Sequence, residues 1–448
     1  MTYLQKSTSA APLAVLRITL GLMLFASLMR FWAKGWIFDL YIQPKLFFPF
    51  YGFEFIKPLG ILTYVLFAFC ALSSLAVAFG YRYRLAALSL FVSFTYIELM
   101  DKSTYLNHYY FISLLCLLLV FLPAHVYFSV DAYRNKNLQA DSVPVWCVDA
   151  IKLLVFILYF YAGLAKLNSD WLVEALPLRI WLPARNDMPV IGSLLNKSWT
   201  PYVFSWFGCV YDLTIVFFLI YRKTRIAAYI TVIIFHVMTA LLFPIGMFPY
   251  IMIVTTMIFL SPEFHQKALF ALGKWLRLPS GFLHPKNTYT FSNTASKLLI
   301  PGFGLFFVFQ LLLPFRYFLY PGELFWTEEG YRFSWRVMLM EKSGYTQFLV
   351  KGANGETETV NNQDFLTVLQ EKMMSTQPDM ILQYSHMLRD EYAKKGFRSP
   401  KVYVDAYVGL NGRLSRQFID PSVNLADENE SFSHKSWIIP LNDEIKGF

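Results

Sequence analysis

The chain has 448 residues, of which 56% are hydrophobic, 19% are aromatic and only 15% are charged. A soluble globular domain rarely has this composition, so water is not expected to be the main solvent of this protein. The formal net charge of +9 is not concentrated in a basic stripe. No nucleic-acid-binding motif is visible either, so nucleic acid is not an expected partner and membrane topology explains the charge better.

Long apolar runs predict about nine membrane-spanning helices, since roughly 20 helical residues cross a bilayer core. The runs lie near Ala11–Trp32, Phe55–Phe79, Arg84–Leu99, His108–Leu122, Cys147–Lys166, Tyr202–Tyr221, Ile226–Phe243, Met247–Leu260 and Leu298–Leu319. Helices are expected because hydrocarbon offers no hydrogen-bond partner to backbone groups. The predicted fold class is an α-helical integral membrane bundle with a C-terminal α+β extramembrane domain.

The loops between these runs alternate between two sides of the membrane. Lys and Arg are more frequent on the side of the N-terminus. The positive-inside rule therefore predicts a cytoplasmic N-terminus and a C-terminal domain outside the cell. The first run is interrupted by Arg17 and is too long for a signal peptide, which indicates a retained first span.

The composition becomes mixed and polar after the last apolar run. This change predicts two domains, a multi-spanning domain over residues 1–319 and an extracytoplasmic α+β domain over residues 320–448. Two hairpins are predicted around Asn354-Gly355 and Asn411-Gly412, because Asn-Gly pairs suit tight turns. The segment Asp364–Lys395 between them has helical propensity.

The four cysteines, Cys70, Cys116, Cys147 and Cys209, lie in or beside apolar runs without C-x-x-C spacing. This favours core thiols over a disulfide framework or a zinc site. No H-E-x-x-H, phosphate-binding glycine loop, dinucleotide fingerprint or G-x-S-x-G motif appears. Zinc hydrolysis, nucleotide chemistry and serine acyl transfer are therefore not expected, and no metal site is predicted.

The strongest candidate for chemistry is Lys166, at the end of the fifth apolar run. Lys166 shares a helix face with Tyr159 and Gly163, so its amine can point into the bundle past a glycine gap. A lysine at the end of a span more often extends to the interface. If Lys166 is buried instead, desolvation leaves a neutral amine able to take a proton from a weak acid. The spacing does not decide between the two.

Two further polar clusters lie in apolar surroundings. Asn107 and His108 begin the fourth run, where they could form hydrogen bonds at the mouth of the bundle. A capped helix start with a satisfied histidine explains them equally well. His236 lies in the seventh run, before a break that contains Pro and Gly. Such a histidine more often packs between helices than takes part in catalysis.

At this point the sequence resembles a known family, the vitamin K-dependent γ-glutamyl carboxylases with their HTTM-type membrane domain. The stretch from Ala162-Gly163 through Lys166-Leu167-Asn168 to Asp170-Trp171 is similar to that family's signature. Further matches follow in chain order: Asn107-His108, Ser129-Val130-Asp131, Phe235-His236, Ile245-Gly246-Met247-Phe248, Trp326-Thr327, Phe333-Ser334-Trp335, Tyr403, Asp405, Asn411, Arg413 and Asp420-Pro421. Motifs in this order make a chance resemblance improbable.

The resemblance implies an activity that composition does not show. In that family a reduced vitamin K, phylloquinol or menaquinol, is deprotonated, reacts with O2 and provides the base that removes a γ-proton from a Glu side chain. CO2 then adds, which gives γ-carboxyglutamate and vitamin K epoxide. The expected cofactor is reduced vitamin K, with O2 and CO2 as co-substrates and no metal. Expected partners are a Glu-containing peptide or protein, membrane lipid and a quinone-recycling reductase.

The resemblance also implies roles for individual residues. The lysine at the position of Lys166 is the base that activates the hydroquinone, and the histidine at the position of His108 assists it in the same pocket. Asn107 and His236 are expected to bind the cofactor. Exclusion of water by an aromatic helical bundle suits such chemistry, because a strong base would otherwise be protonated.

Peptide contact is predicted near Trp326, Arg332 and Trp335, which lie at the junction of the two domains. This prediction rests on their position, and a tryptophan anchor at the membrane interface explains them equally well. Compared with the animal enzymes, the protein is expected to lack their long lumenal extension, and the predicted extracytoplasmic domain contains no cysteine for their covalent tie. A bacterial plasma membrane is therefore the expected setting.

Two other functions stay open. One is a quinol epoxidase that does not carboxylate Glu. The other is a nonenzymatic quinone-binding membrane protein that keeps the fold.

Overall fold

In the computed structural model, residues 3–283 and 287–448 are described. The longer helices before residue 320 are α1 (Ala11–Ala33), α2 (Thr63–Phe79), α3 (Tyr83–Leu99), α4 (Asn107–Phe121), α5 (Val145–Leu164), α6 (Thr200–Ile220), α7 (Arg225–Leu242), α8 (Phe248–Thr256), α9 (Pro262–Trp275) and α10 (Asn293–Leu312). Short helices connect them at Trp36–Tyr41, Val130–Arg134, Ser169–Leu172, Leu178–Trp181, Gly192–Leu195 and Ser280–Leu283. Single 3-10 turns or short 3-10 helices lie at Tyr3–Gln5, Gly60–Leu62, Lys102–Thr104, Lys136–Leu138, Pro183–Arg185, Met257–Phe259 and Leu313–Leu319. The strands β1 (Ser7–Ser9) and β2 (Ser142–Pro144) pair antiparallel.

Six helices of the described residues are long and apolar enough to cross a membrane. They are Ala11–Ala33, Gly60–Phe79, Val145–Leu164, Thr200–Ile220, Arg225–Leu242 and Asn293–Leu319. Three other predicted spans correspond to α3, α4 and α8, which are shorter helices of 17, 15 and 9 residues. The predicted count of nine spans is thus supported for six, and these three helices fall short of the roughly 20 residues that a bilayer core requires.

Glycines allow neighbouring helices of the bundle to approach closely. A Cβ atom on Gly21 of α1 would lie 2.5 Å from the carbonyl oxygen of Ser74 in α2. A Cβ atom on Gly163 of α5 would lie 2.7 Å from the backbone nitrogen of Leu213 in α6. Small residues at such crossings are typical of membrane helices, because close backbone contact replaces the hydrophobic driving force available in water.

Arg17, which interrupts the first apolar run, is fully buried at 0% exposure. Its guanidinium donates hydrogen bonds to the carbonyl oxygens of Val77, Ala78, Ala124 and Phe128. These carbonyls end α2 and belong to the loop after α4. Because each buried carbonyl needs a partner, Arg17 fixes one end of the bundle.

The C-terminal region, residues 320–448, contains a four-stranded antiparallel sheet in the order β4-β3-β5-β6. Its strands are β3 (Lys342–Lys351), β4 (Thr357–Thr359), β5 (Lys401–Leu410) and β6 (Arg416–Gln417), and its longer helices are α11 (Val368–Met374) and α12 (Pro378–Lys394). Short helices lie at Leu324–Thr327 and Asn362–Asp364. Buried residues alternate along β3 and β5, so one sheet face packs on the helices and the other is open to solvent.

Both predicted hairpins of the C-terminal region are confirmed. The strands β3 and β4 flank Asn354-Gly355, and β5 and β6 flank Asn411-Gly412. Asn411 and Gly412 have φ values of 50° and 78°, the conformation that favours Asn-Gly in a tight hairpin turn. The predicted helix over Asp364–Lys395 is present as two helices, α11 and α12, with Ser375–Gln377 between them.

Charged residues join the bundle to the C-terminal region. Lys102, only 3% exposed, donates to Asp379 at 2.8 Å, and Arg332 donates to the same carboxylate at 2.7 and 3.2 Å. Burial alone would raise the pKa of Asp379, but the charges of Arg332 and Lys102 outweigh it and hold that pKa well below its usual value. The carboxylate therefore stays ionised and links the two regions at neutral pH.

Candidate functional site

Lys166 follows the last turn of α5 and is only 6% exposed. Its ammonium donates to the carbonyl oxygen of Ala162 at 3.0 Å and to Oδ2 of Asp212 at 2.8 Å. The ring of Trp171 lies 5.2 Å from the same nitrogen. Lys166 thus does not extend to the membrane interface. The sequence left open whether this lysine is buried or interfacial, and in the structure it is buried.

The glycine gap predicted beside Lys166 is present, and it lies where α5 packs against α6. Because Gly163 has no side chain, α5 approaches α6 closely enough for Leu213 to contact its backbone. The same approach brings Asp212 of α6 to the face of α5 on which Lys166 lies. The lysine therefore points between the helices, toward a carboxylate, rather than along the surface.

Asp212 is the residue that sequence reasoning missed. It is 7% exposed and forms the only ion pair of Lys166 among the described residues. The available signal was a single acidic residue within the apolar helix Thr200–Ile220. An ionisable group within a membrane helix is a candidate functional residue because an unpaired charge there is costly. The sequence does not show which lysine it meets.

A chamber of about 80 Å³ lies beside the Lys166–Asp212 pair. Most of its walls are apolar or aromatic. Its lining consists of Leu158, Tyr159, Ala162, Lys166, Trp171, Leu178, Phe204, Gly208, Asp212, Phe235, His236, Thr239, Phe243, Ile245, Phe248, Val337 and Met338. Val337 and Met338 come from the C-terminal region, so the chamber is closed by both parts of the chain.

A hydrogen-bonded group of three side chains lies at the chamber. The hydroxyl of Tyr159 lies 2.7 Å from Nε2 of His236 and 3.4 Å from the hydroxyl of Tyr211. His236 is 1% exposed, and its Nδ1 has no hydrogen-bond partner among the described residues. Unpaired buried polar atoms are uncommon in folded proteins, and this one belongs to a residue that lines the chamber. The expectation that His236 is part of the site is therefore consistent with its position.

His108 does not line this chamber, although it was expected in the same pocket as Lys166. Its buried ring lies 6.0 Å from that of Phe248, and the ring of Phe248 lies 5.8 Å from that of His236. Asn107 donates to the carbonyl oxygen of Arg336 at 2.9 Å. Phe248 thus separates His108 from the chamber, and Asn107 connects α4 to the C-terminal region. The predicted roles of both residues stay predictions.

Trp326, Arg332 and Trp335 do not line the chamber either. The indole of Trp326 donates to the carbonyl oxygen of Ile439 at 2.7 Å, and Trp335 is fully buried. The Arg332 guanidinium binds Asp379. The three residues are thus engaged at the junction of the bundle and the C-terminal region, and their contact with a peptide stays a prediction.

The loop that follows Lys166 is held by the C-terminal region at two places. Asp170 accepts two hydrogen bonds of 2.7 Å from Arg413 and one of 2.8 Å from Asn411, and the hydrogen bonds between Arg413 and Asp170 raise the pKa of Arg413. Ser169 donates its backbone N–H to the carbonyl oxygen of Lys446 at 2.7 Å.

The contact between Ser169 and Lys446 is extended by the next two residues, Gly447 and Phe448. The backbone N–H of Phe448 donates to the carbonyl oxygen of Leu167 at 2.9 Å. A Cβ atom on Gly447, whose φ is 117°, would lie 2.2 Å from that oxygen. Only glycine fits such a close approach. The C-terminal region therefore fixes the backbone beside the lysine.

Comparison with protein families gives two matches that together cover most of the chain. Residues 5–264 match the HTTM domain, and residues 295–444 match the lumenal domain of the vitamin K-dependent gamma-carboxylase. No solved structure matches the chain. The protein therefore belongs to a class of multi-spanning membrane proteins with an HTTM domain.

Within that class the second match is specific. The chain belongs to the vitamin K-dependent γ-glutamyl carboxylase family. Membership implies the use of vitamin K hydroquinone, O2 and CO2 and a Glu-containing substrate. The family predicted from the ordered motifs is confirmed.

Proposed function

We propose that this protein is a vitamin K-dependent γ-glutamyl carboxylase that couples oxygenation of reduced vitamin K to the carboxylation of protein Glu. The observation that carries the proposal is the buried Lys166–Asp212 pair in the wall of an aromatic chamber. A fat-soluble quinol reaches such a chamber from the bilayer, and its hydroxyl is a weak acid that needs a base sheltered from water.

The residues of the chamber fit a reduced naphthoquinone. Aromatic and aliphatic walls suit its rings, the Lys166–Asp212 pair suits one hydroxyl, and the unpartnered Nδ1 of His236 suits a polar atom of the ligand. When bound and oxygenated, reduced vitamin K supplies the base strength that removal of a γ-proton from Glu requires. The remaining steps depend on groups of the protein itself.

Lys166 and Asp212 act as one proton-accepting unit. Their contact of 2.8 Å lets them share a single proton, held either on the ammonium or on the carboxyl group. In both arrangements one of the two groups can accept a second proton from a quinol hydroxyl. From the sequence, the expected base is a lysine that desolvation alone makes neutral. We assign this role to the Lys166–Asp212 pair instead.

The group around His236 orients the ligand. The hydroxyl of Tyr159 lies 2.7 Å from Nε2 and orients the imidazole, and the neutral tautomer in which Nε2 accepts a hydrogen bond from this hydroxyl carries its N–H at Nδ1. Such an N–H can donate to an oxygen of the quinol. Trp171, Phe243 and Phe248 meanwhile exclude water from the reacting atoms.

We further propose a division of labour along the chain. Residues 1–319 hold the hydroquinone, and residues 320–448 present the acceptor Glu from outside the cell. The contacts of Asp170 and of the last residues with the loop after Lys166 support this division, since they connect the two parts beside the base. A bacterial plasma membrane with a cytoplasmic N-terminus is the proposed setting.

One turnover experiment separates the three candidate functions. Purified protein in lipid nanodiscs is given vitamin K hydroquinone, O2, radiolabelled bicarbonate as the source of CO2 and a Glu peptide. Epoxide together with labelled peptide is the expected result. Epoxide without labelled peptide would identify a quinol epoxidase. Quinone binding without oxygen consumption would identify a nonenzymatic binding protein and contradict the proposal.

A further inference from the structure

Glu98, at the end of α3, is a buried carboxyl group that the proposed reaction does not use. It is 5% exposed. Its Oε2 accepts a hydrogen bond of 2.5 Å from Ser113, and within the described part of the chain its Oε1 has no hydrogen-bond partner. Throughout residues 3–283 and 287–448, no Lys, Arg or His forms an ion pair with it. An acidic residue so placed is a candidate for function, because membrane proteins rarely keep one without a role.

The carboxyl group borders a second cavity, of about 30 Å³. Its walls are mostly apolar, with a few polar groups. They are formed by Leu24, Ser27, Leu28, Phe31, Tyr41, Phe67, Phe94, Ile97, Glu98, Tyr109 and Met247. A single water needs about 10–15 Å³, so the cavity has room for one or two waters beside the Glu98 side chain.

The second cavity and the reaction chamber share a wall. Met247 lines the second cavity, and the next residue, Phe248, lines the chamber. The ring of Phe248 also packs between His108 and His236. On the other side, the hydroxyl of Ser27 donates to the sulfur of Met247 at 3.2 Å. Met247 and Phe248 therefore connect the wall of the second cavity directly to the wall of the chamber.

We propose that Glu98 is a proton-binding site of the membrane bundle, which exchanges its proton with water in the second cavity and responds to a quinone-class ligand in the chamber. An ionised carboxylate is costly in apolar surroundings without a cation, so the group keeps its proton in the ligand-free protein. The titratable groups around it are tyrosines, namely Tyr41, Tyr105, Tyr109 and Tyr110, and none of them supplies a positive charge. The ligand class in this inference rests on the proposed function.

Infrared difference spectroscopy of the full-length protein in nanodiscs tests this inference. The wild type is expected to show the carbonyl stretch of a protonated carboxylic acid that shifts in heavy water and shifts again when menaquinone is added. Glu98→Gln, which is nearly isosteric and still accepts from Ser113, should lack this band. Glu54→Gln, which changes an exposed carboxylate, should keep it.

The band decides the inference independently of turnover. A wild-type spectrum without any band that Glu98→Gln removes would overturn it, and so would a band that menaquinone leaves unchanged. The same preparation is assayed for epoxide and labelled peptide. Absence of both products with an intact, menaquinone-sensitive band would refute only the proposed reaction and would still support the proton site.

Discussion

Removal of the Asp212 carboxylate is the perturbation that bears most directly on the site. Asp212→Asn leaves a similar volume and an amide oxygen that can still accept a hydrogen bond from Lys166. It deletes the negative charge that lies 2.8 Å from the ammonium nitrogen. Because side-chain exposure of the two partners is only 8% and 9%, water cannot replace the lost partner.

The size of the effect follows from the geometry. At 2.8 Å and an effective dielectric constant of about 20, the attraction between the two charges is about 6 kcal/mol. Part of this attraction is offset by the cost of desolvating both groups, and breaking a buried pair from one side destabilises a protein by about 3–5 kcal/mol. We expect Asp212→Asn to lower the free energy of unfolding by an amount within this range and to lose turnover as well.

A double variant separates stability from chemistry. In Lys166→Met with Asp212→Leu, both charges are replaced by apolar groups, so most of the stability is expected to return while turnover stays absent. Thermal unfolding in nanodiscs and epoxide formation are measured on all variants. The control is Glu174→Gln, which breaks an exposed pair with Arg179 and should change stability by less than about 1 kcal/mol.

Two results would refute this reasoning. The first is an Asp212→Asn protein as stable and as active as the wild type, which would mean that the lysine has no need of the carboxylate. The second is a double variant less stable than Asp212→Asn, which would mean that the charges do not compensate each other in the folded protein.

Three further predictions test other parts of the structure. Gly447→Ala should reduce turnover several-fold, because the new Cβ atom meets the carbonyl oxygen of Leu167. Gly355→Ala should leave turnover unchanged, because Gly355 has a similar positive φ but open space around it. Assays of epoxide formation compare the two variants. Arg17→Met leaves buried carbonyls without donors and should destabilise the protein by about 3 kcal/mol or more, measured by thermal unfolding. The pKa of Asp379 is lower in the folded protein than its ordinary value of 3.8. The ionised carboxylate therefore contributes to the free energy of unfolding above that pH, and this contribution is lost as the pH falls below it. Asp379→Asn should make the free energy of unfolding less dependent on pH in that acidic range.

Patterns along the chain predicted the parts of the fold that local sequence determines. Apolar length predicted the six helices that can cross a membrane, and the Asn-Gly pairs predicted both hairpins. The spacing of Gly163 and Lys166 showed that the lysine could point into the bundle, but it did not decide between burial and extension to the interface. Each of these features depends on residues within a few turns of each other, so a period or a turn residue is sufficient to show it.

The features that the sequence did not show depend on contacts between distant segments. Asp212 meets Lys166 only because α5 and α6 cross at a glycine. The separation of His108 from the chamber depends on Phe248, which lies far along the chain. The apolar runs Arg84–Leu99 and His108–Leu122 nearly coincide with α3 and α4, whereas the run Met247–Leu260 extends beyond α8, which ends at Thr256. Periodicity along the sequence shows which face of a helix is apolar, but it does not show which segment packs against that face.

The central claim is that the Lys166–Asp212 pair accepts the first proton from reduced vitamin K. Its most direct test compares Lys166→Ala with Lys197→Ala, a control at an exposed lysine, in hydroquinone-dependent incorporation of radiolabelled CO2 into a Glu peptide. We predict that the wild type and the control incorporate label to the same extent and that Lys166→Ala incorporates none above background. Full incorporation by Lys166→Ala would contradict the claim.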